Sequence, residues 1–152
     1  MFYLKRLILL SASERRSDAH EGLTPLERFQ GVYFRILKKY LNEGKLKNTD
    51  IIVVSDKFGI LTSENQVPYH ERFIQIPTPE EMEKLRKTNL QKLGQVFKVN
   101  KYSEIFVVCG KQFQQFISGF ENLTEAKVTY CKGSGLGQKA QHLRQWILEH
   151  AK

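Results

Sequence analysis

Cysteine is scarce in this chain. Cys109 and Cys131 are the only two in 152 residues, and no Cys-x-x-Cys or Cys/His cluster stands at metal-ligand spacing. A zinc site and a disulfide framework are both excluded on that ground, and a reducing, cytoplasmic setting is expected. Long hydrophobic runs are missing too. The longest near the N-terminus, Leu7 to Leu10, is far short of the roughly 20 residues that cross a bilayer, so no membrane partner is expected. Lys5 and Arg6 precede that run and polar Ser11 to Asp18 follow it, which is not the pattern of a secretory leader. Neither Gly-Lys-Ser/Thr nor G-x-G-x-x-G occurs, and no cofactor is assigned. Asp56 and Glu71 are two carboxylates that could share a metal, but without known proximity they are thin support, and no metal is assigned.

What the chain does have is positive charge. Lysine and arginine number 24 against 16 acidic residues, a net charge of +8, which favours a polyanionic partner over a neutral one. A basic surface that serves only solubility is the plainer alternative. The length fits one hydrophobic core, so residues 1–152 read as one α/β domain.

Tyr3 to Leu10 combines β-formers with a continuous apolar end and reads as a buried strand. Polar residues 11–22 follow as a loop at its carboxyl end. Thr24, Pro25 and Glu27 form a cap, first-turn proline and capping-box acid. They predict a helix whose stripe is Leu26, Phe29, Tyr33, Ile36, Leu37 and Tyr40, ending near Gly44. Ile51 to Val54 and Ile105 to Val108 read as second and third buried strands, and Ala126 to Tyr130 as a fourth. Ile60 to Thr78 reads as a long connecting loop. Thr78-Pro79-Glu80-Glu81 starts another helix, Phe113 to Phe120 a short one, and Gly133 to Gly137 lead into the last, with Leu143, Trp146 and Ile147 facing inward. Alternation of this kind implies a three-layer sandwich: a mostly parallel, four-stranded sheet flanked by helices, with ligands beyond the strands' carboxyl ends.

Several residues at those ends have the chemistry of phosphate binding. Gly133, Ser134, Gly135 and Gly137 precede a helix, where backbone N–H groups and the helix dipole favour an anion; a flexible turn is the structural alternative. Arg15 and Arg16 are suited to bidentate phosphate contacts, with Ser11 and Ser13 as hydroxyl donors, and Lys57 follows the second strand as a point charge. Each has a solvated surface role as its alternative. Tyr69, His70 and Glu71 place a phenol, an imidazole and a carboxylate together in the long loop, the groups of acid–base catalysis. Cys109 ends a strand and reads as packing, not as a nucleophile.

Taken in order, the strand ending Leu-Leu-Ser-Ala-Ser, the run Leu26-Glu27-Arg28-Phe29-Gln30-Gly31 with Phe34, Val54-Ser55-Asp56-Lys57-Phe58-Gly59-Ile60, Pro68-Tyr69, and Gly133 to Gly137 with Trp146 form a set. The chain thereby resembles the uncharacterised bacterial and archaeal family DUF6884 over nearly its whole length. It departs from that family in the first loop, where Ser11 is followed by Glu14 and Arg15 and not by a lysine. The resemblance extends remotely to domains of tRNA-base-modifying transglycosylase systems and to the uracil-DNA glycosylase type of sheet. The convergence of the loops after the four strands on one sheet edge leads to the expectation of an enzyme acting on a nucleotide or nucleic acid, at an N-glycosidic bond. The alternatives are a non-catalytic nucleic-acid-binding module and an enzyme on a small phosphorylated metabolite.

Overall fold

The computed structural model describes residues 5–12, 22–68 and 77–151. Its centre is a five-stranded sheet. Strand β1 (Lys5–Ser11) lies in the middle, paired in parallel with β2 (Thr49–Ser55) and β4 (Tyr102–Val108). Beyond β4 comes parallel β5 (Lys127–Tyr130), and beyond β2 comes antiparallel β3 (Gly59–Thr62), giving the order β3-β2-β1-β4-β5.

Period-two alternation along the strands divides the core between two helical layers. On one face Ile8, Leu10, Ile51, Val53, Phe106 and Val108 meet α2 (Val32–Asn42) and α5 (Leu136–His150), through Phe34, Leu37, Leu143, Trp146 and Ile147. On the other, Leu7, Leu9, Ile52, Val54, Ile105 and Val107 meet Leu93 of α3 (Pro79–Val99), together with Phe116, Ile117 and Phe120. The apolar run Leu7–Leu10 therefore has neither face in water, the condition that makes a parallel central strand uniformly hydrophobic. Trp146 is core, stacked on Phe106 at 5.0 Å between ring centroids.

The two capped helix starts are formed as their sequences dictate. Thr78 Oγ accepts the Glu81 N–H at 3.1 Å, and the Glu27 carboxylate accepts from Thr24 N–H at 3.0 Å and from Thr24 Oγ–H at 2.7 Å.

Three expectations need correction. The expected four strands are five, because Gly59–Thr62 turns back on β2 as an edge strand; Ile60 and Leu61 alone were too short a signal within the expected loop. The expected continuous helix from Thr24 is two, α1 (Pro25–Arg28) and α2, separated by extended Phe29 and by Gly31, which caps α2. On one helix residues 29 and 34 would point about 140° apart. The break lets both rings enter the core, 5.4 Å apart. The expected helix from Phe113 to Phe120 is α4 (Lys111–Gln114) followed by 3₁₀ turns at Gln115–Ile117 and Phe120–Leu123.

Gly59 turns the hairpin with φ +72°, and an added Cβ would lie 2.7 Å from Asn89 Oδ1 on α3. Gly59→Ala combines backbone strain with a close approach to a buried side chain. It is expected to cost about 1–3 kcal/mol of unfolding free energy, read from urea denaturation.

Candidate functional site at the carboxyl edge of the sheet

The chain leaves β1 through α2, on one face, to reach β2, and returns through α3, on the other face, to β4. The strand order thus reverses between β1 and β4. In open α/β sheets ligands bind in the crevice outside the carboxyl ends of the strands at such a point.

Each described loop at that edge is braced by a small polar side chain. After β2, Ser55 is 1% exposed, and its Oγ accepts the N–H groups of Lys57 at 3.2 Å and Phe58 at 3.0 Å. This turn leaves Lys57 exposed, with Nζ 5.7 Å from the centroid of the half-buried Phe58 ring. After β4, the Gln114 side-chain amide donates to the Cys109 carbonyl at 2.9 Å, and Gly110 starts α4 with Lys111 exposed.

After β5, the Cys131 N–H extends the ladder to the Val107 carbonyl at 2.8 Å. The Lys132 N–H then donates to His142 Nδ1 at 2.8 Å, which leaves the proton of the neutral ring on Nε2. The His142 ring meets Phe106 edge-on at 5.1 Å.

The glycine turn is closed on its own helix. Ser134 donates through N–H at 2.8 Å and Oγ–H at 2.9 Å to Gln138 Oε1, and a Cβ on Gly133 would come within 2.8 Å of Gln138 Cβ and the Lys139 backbone nitrogen. Close packing thus requires glycine at 133. The first helical bond of α5 is Lys139 N–H to the Gly135 carbonyl at 3.1 Å, so the N–H groups of Leu136, Gly137 and Gln138 stand ahead of it at an exposed helix start.

Exposed lysines stand at both edges of the sheet, Lys47, Lys101 and Lys127 among them at the amino edge. The amino edge also holds ion pairs and a carboxylate bond: Lys5 pairs with Asp50 at 3.6 Å, Tyr102 donates to Asp50 at 2.8 Å, and Glu104 pairs with His150. At the carboxyl edge one exposed lysine follows each of β2, β4 and β5: Lys57, Lys111 at the start of α4, and Lys132.

Of the residues singled out from sequence, Ser11 ends β1 in register with Val54, and Lys57, Gly133, Ser134, Gly135 and Gly137 stand at this same edge. Ser13, Arg15, Arg16, Tyr69, His70 and Glu71 lie outside the described residues. The roots of their two segments do meet. Val67 N–H donates to the Leu23 carbonyl at 2.6 Å, and fully buried Arg28 donates to the Val67 carbonyl through Nε at 3.2 Å and Nη2 at 3.0 Å.

Sequence reasoning passed over Lys111, Lys132, Gln138, His142 and the brace at Arg28. Lys111 had a usable signal, since it follows the third apolar run Ile105–Val108 by three residues, as Lys57 follows Val54. His142 had none, because its partner is a backbone N–H ten residues away.

Burial pushes the Cys109 thiol up to about 12 and the Cys131 thiol up to about 11, so neither is a thiolate near neutrality. A thiol whose folded pKa is raised stabilises the fold below its unfolded value of roughly 8.5, and that contribution is lost as pH rises through the folded pKa. Unfolding free energy is therefore expected to fall between about pH 9 and 12, by at most ~1.4 kcal/mol per unit for Cys109. Chemical denaturation across that range should show a shallower fall for Cys109→Ala.

No protein-family model matches the chain, and no curated protein matches it. Among solved structures it is similar to the one described as the crystal structure of AF0587, a protein of unknown function. That match has a TM-score of 0.55 and 14% sequence identity, and covers 95% of this chain. The likeness is one of fold, and this chain spans 45% of that one. No helix among the described residues is long and apolar enough to cross a membrane.

Proposed function

We propose that the chain binds a phosphate-bearing ligand, a nucleotide or nucleic acid, along the carboxyl edge of the sheet and acts on it as an enzyme. One observation carries this reading: exposed lysines follow β2, β4 and β5 at the edge where the strand order reverses and ligands of such sheets bind. The net charge of +8 supports it, as does the exposed start of α5 beside Lys132.

In this reading Ser11, Ser13, Arg15 and Arg16 add donors from the loop after β1. Tyr69, His70 or Glu71 moves the proton or orients water at an N-glycosidic bond. The Leu23–Val67 bridge supports their cooperation, because it joins the two stretches of chain that lead to them. The segments on which the resemblance to DUF6884 rests, Lys57-Phe58-Gly59 and Gly133 to Gly137, fall on one edge in this reading. A nucleotide substrate fits a cytoplasmic protein.

The test is a titration of the purified chain with mononucleotides, single- and double-stranded DNA, and RNA, at low and moderate salt, with product analysis. Released base or an altered nucleotide, abolished in His70→Ala, is the expected result. Salt-sensitive binding with unaltered nucleic acid would replace the enzyme with a binding module, the second reading that the net charge favours. Tight mononucleotide binding without polymer binding would point to a small phosphorylated metabolite. Absence of all binding would overturn the proposal.

A further inference from the structure

The cations at the carboxyl edge are spread along it, not gathered. Neighbouring strands lie about 4.8 Å apart, so the ends of β2 and β5, three strand spacings from one another, are separated by about 14 Å. For one phosphate to engage both Lys57 and Lys132, each side chain would have to lie outstretched along the edge, losing most of its rotamer freedom. A ligand carrying several phosphates in a row is met by each lysine where it stands.

Two aromatic rings accompany the lysines. Phe58 is half-buried beside Lys57 at the end of β2. Tyr33 is the second residue of α2, which starts at this edge, and is also half-buried. It packs against the same core face as Phe58 and as Cys131, which follows β5. Both rings thus stand on one face of the sheet near the edge that carries the lysines. A duplex keeps its bases stacked inside and offers such rings nothing, whereas a single strand presents base faces that stack on aromatic side chains between phosphate contacts.

We infer that the edge is a track for single-stranded nucleic acid, with Lys57, Lys111 and Lys132 contacting successive phosphates and Phe58 and Tyr33 receiving bases. This rests on the binding reading above and narrows its ligand.

The experiment is fluorescence-anisotropy titration of the full chain with labelled oligonucleotides of one, two, four and eight nucleotides, as DNA and as RNA, and with a duplex of eight base pairs. Affinity is expected to rise at least ten-fold from one to four nucleotides and to exceed that for the duplex. Three phosphates at about 0.7 counterions each should give a log–log salt slope near −2. Phe58→Leu and Tyr33→Leu, which keep an apolar side chain against the core, should each weaken single-strand binding about five-fold or more. The thermal midpoint checks folding, and Phe58→Tyr and Tyr33→Phe should restore affinity.

Equal or tighter duplex binding, or unchanged affinity in both leucine variants, would overturn the inference. Mononucleotides bound as tightly as octamers, with dependence on Lys57 and Lys132, would also overturn it while leaving the proposed ligand class standing. If neither mononucleotides nor oligonucleotides bind, both readings fall. Whether DNA or RNA binds better identifies the strand.

Discussion

Replacing Arg28 with methionine is expected to lower the unfolding free energy by about 3 kcal/mol. The guanidinium is fully buried and gives two N–H bonds to one carbonyl, that of Val67, itself on a residue with no exposed surface. Hydrogen bonds from a charged donor contribute about 1.5–3 kcal/mol, and a buried acceptor stripped of its partner costs about 1–3 kcal/mol. Methionine keeps most of the volume, so the cavity cost is small and the measured loss reports the polar contact. The same bonds hold the Leu23–Val67 bridge at the roots of the segments that carry Arg15, Arg16 and Tyr69 to Glu71. Hydrogen exchange at the Val67 amide, which donates to Leu23, should accelerate in the variant well before the central β1 amides do. A loss below about 1 kcal/mol with unchanged exchange would mean that Arg28 is a passive filler.

The second large effect is on binding and not on stability. Changing Lys57, Lys111 and Lys132 together to glutamine should weaken nucleic-acid binding about 100-fold. Each unit charge at roughly 4 Å in a water-like dielectric is worth about 1 kcal/mol, and three such contacts come to about two decades in affinity. All three side chains are exposed, so the thermal midpoint should barely move, as for surface substitutions in general. Unchanged affinity with an intact fold would remove the carboxyl edge as the binding surface.

Gly133→Ala probes the same edge from the other side. Its Cβ would collide with the first turn of α5 at a backbone atom, which a rotamer change cannot relieve. A stability loss of about 1–3 kcal/mol is expected in denaturant unfolding. A smaller loss would mean that the turn can re-form around a side chain.

By itself the sequence determined the layers. Leu7–Leu10, Ile51–Val54 and Ile105–Val108 are continuous runs of β-branched residues, leucine and one phenylalanine, which only a sheet covered on both faces can bury. The caps at Thr24 and Thr78 fixed where helices start, because their signals are local and depend on residues three apart. Lys57 and the turn from Gly133 to Gly137 were legible as site candidates for the same reason: each sits where a strand ends. Tertiary structure decided the rest. Only packing shows that Phe29 and Phe34 must share a core, which breaks the helix between them, or that the weak apolar pair Ile60–Leu61 pairs with β2 as an edge strand. Arg28 reads as a surface residue until the fold wraps Val67 over it, and His142 as a helix-face residue until the β5 loop presents a backbone N–H to it. Such contacts join residues ten to 39 positions apart, and no local period or spacing encodes them. The lysine row is of that kind too: 57, 111 and 132 become neighbours only through the strand order β2-β1-β4-β5.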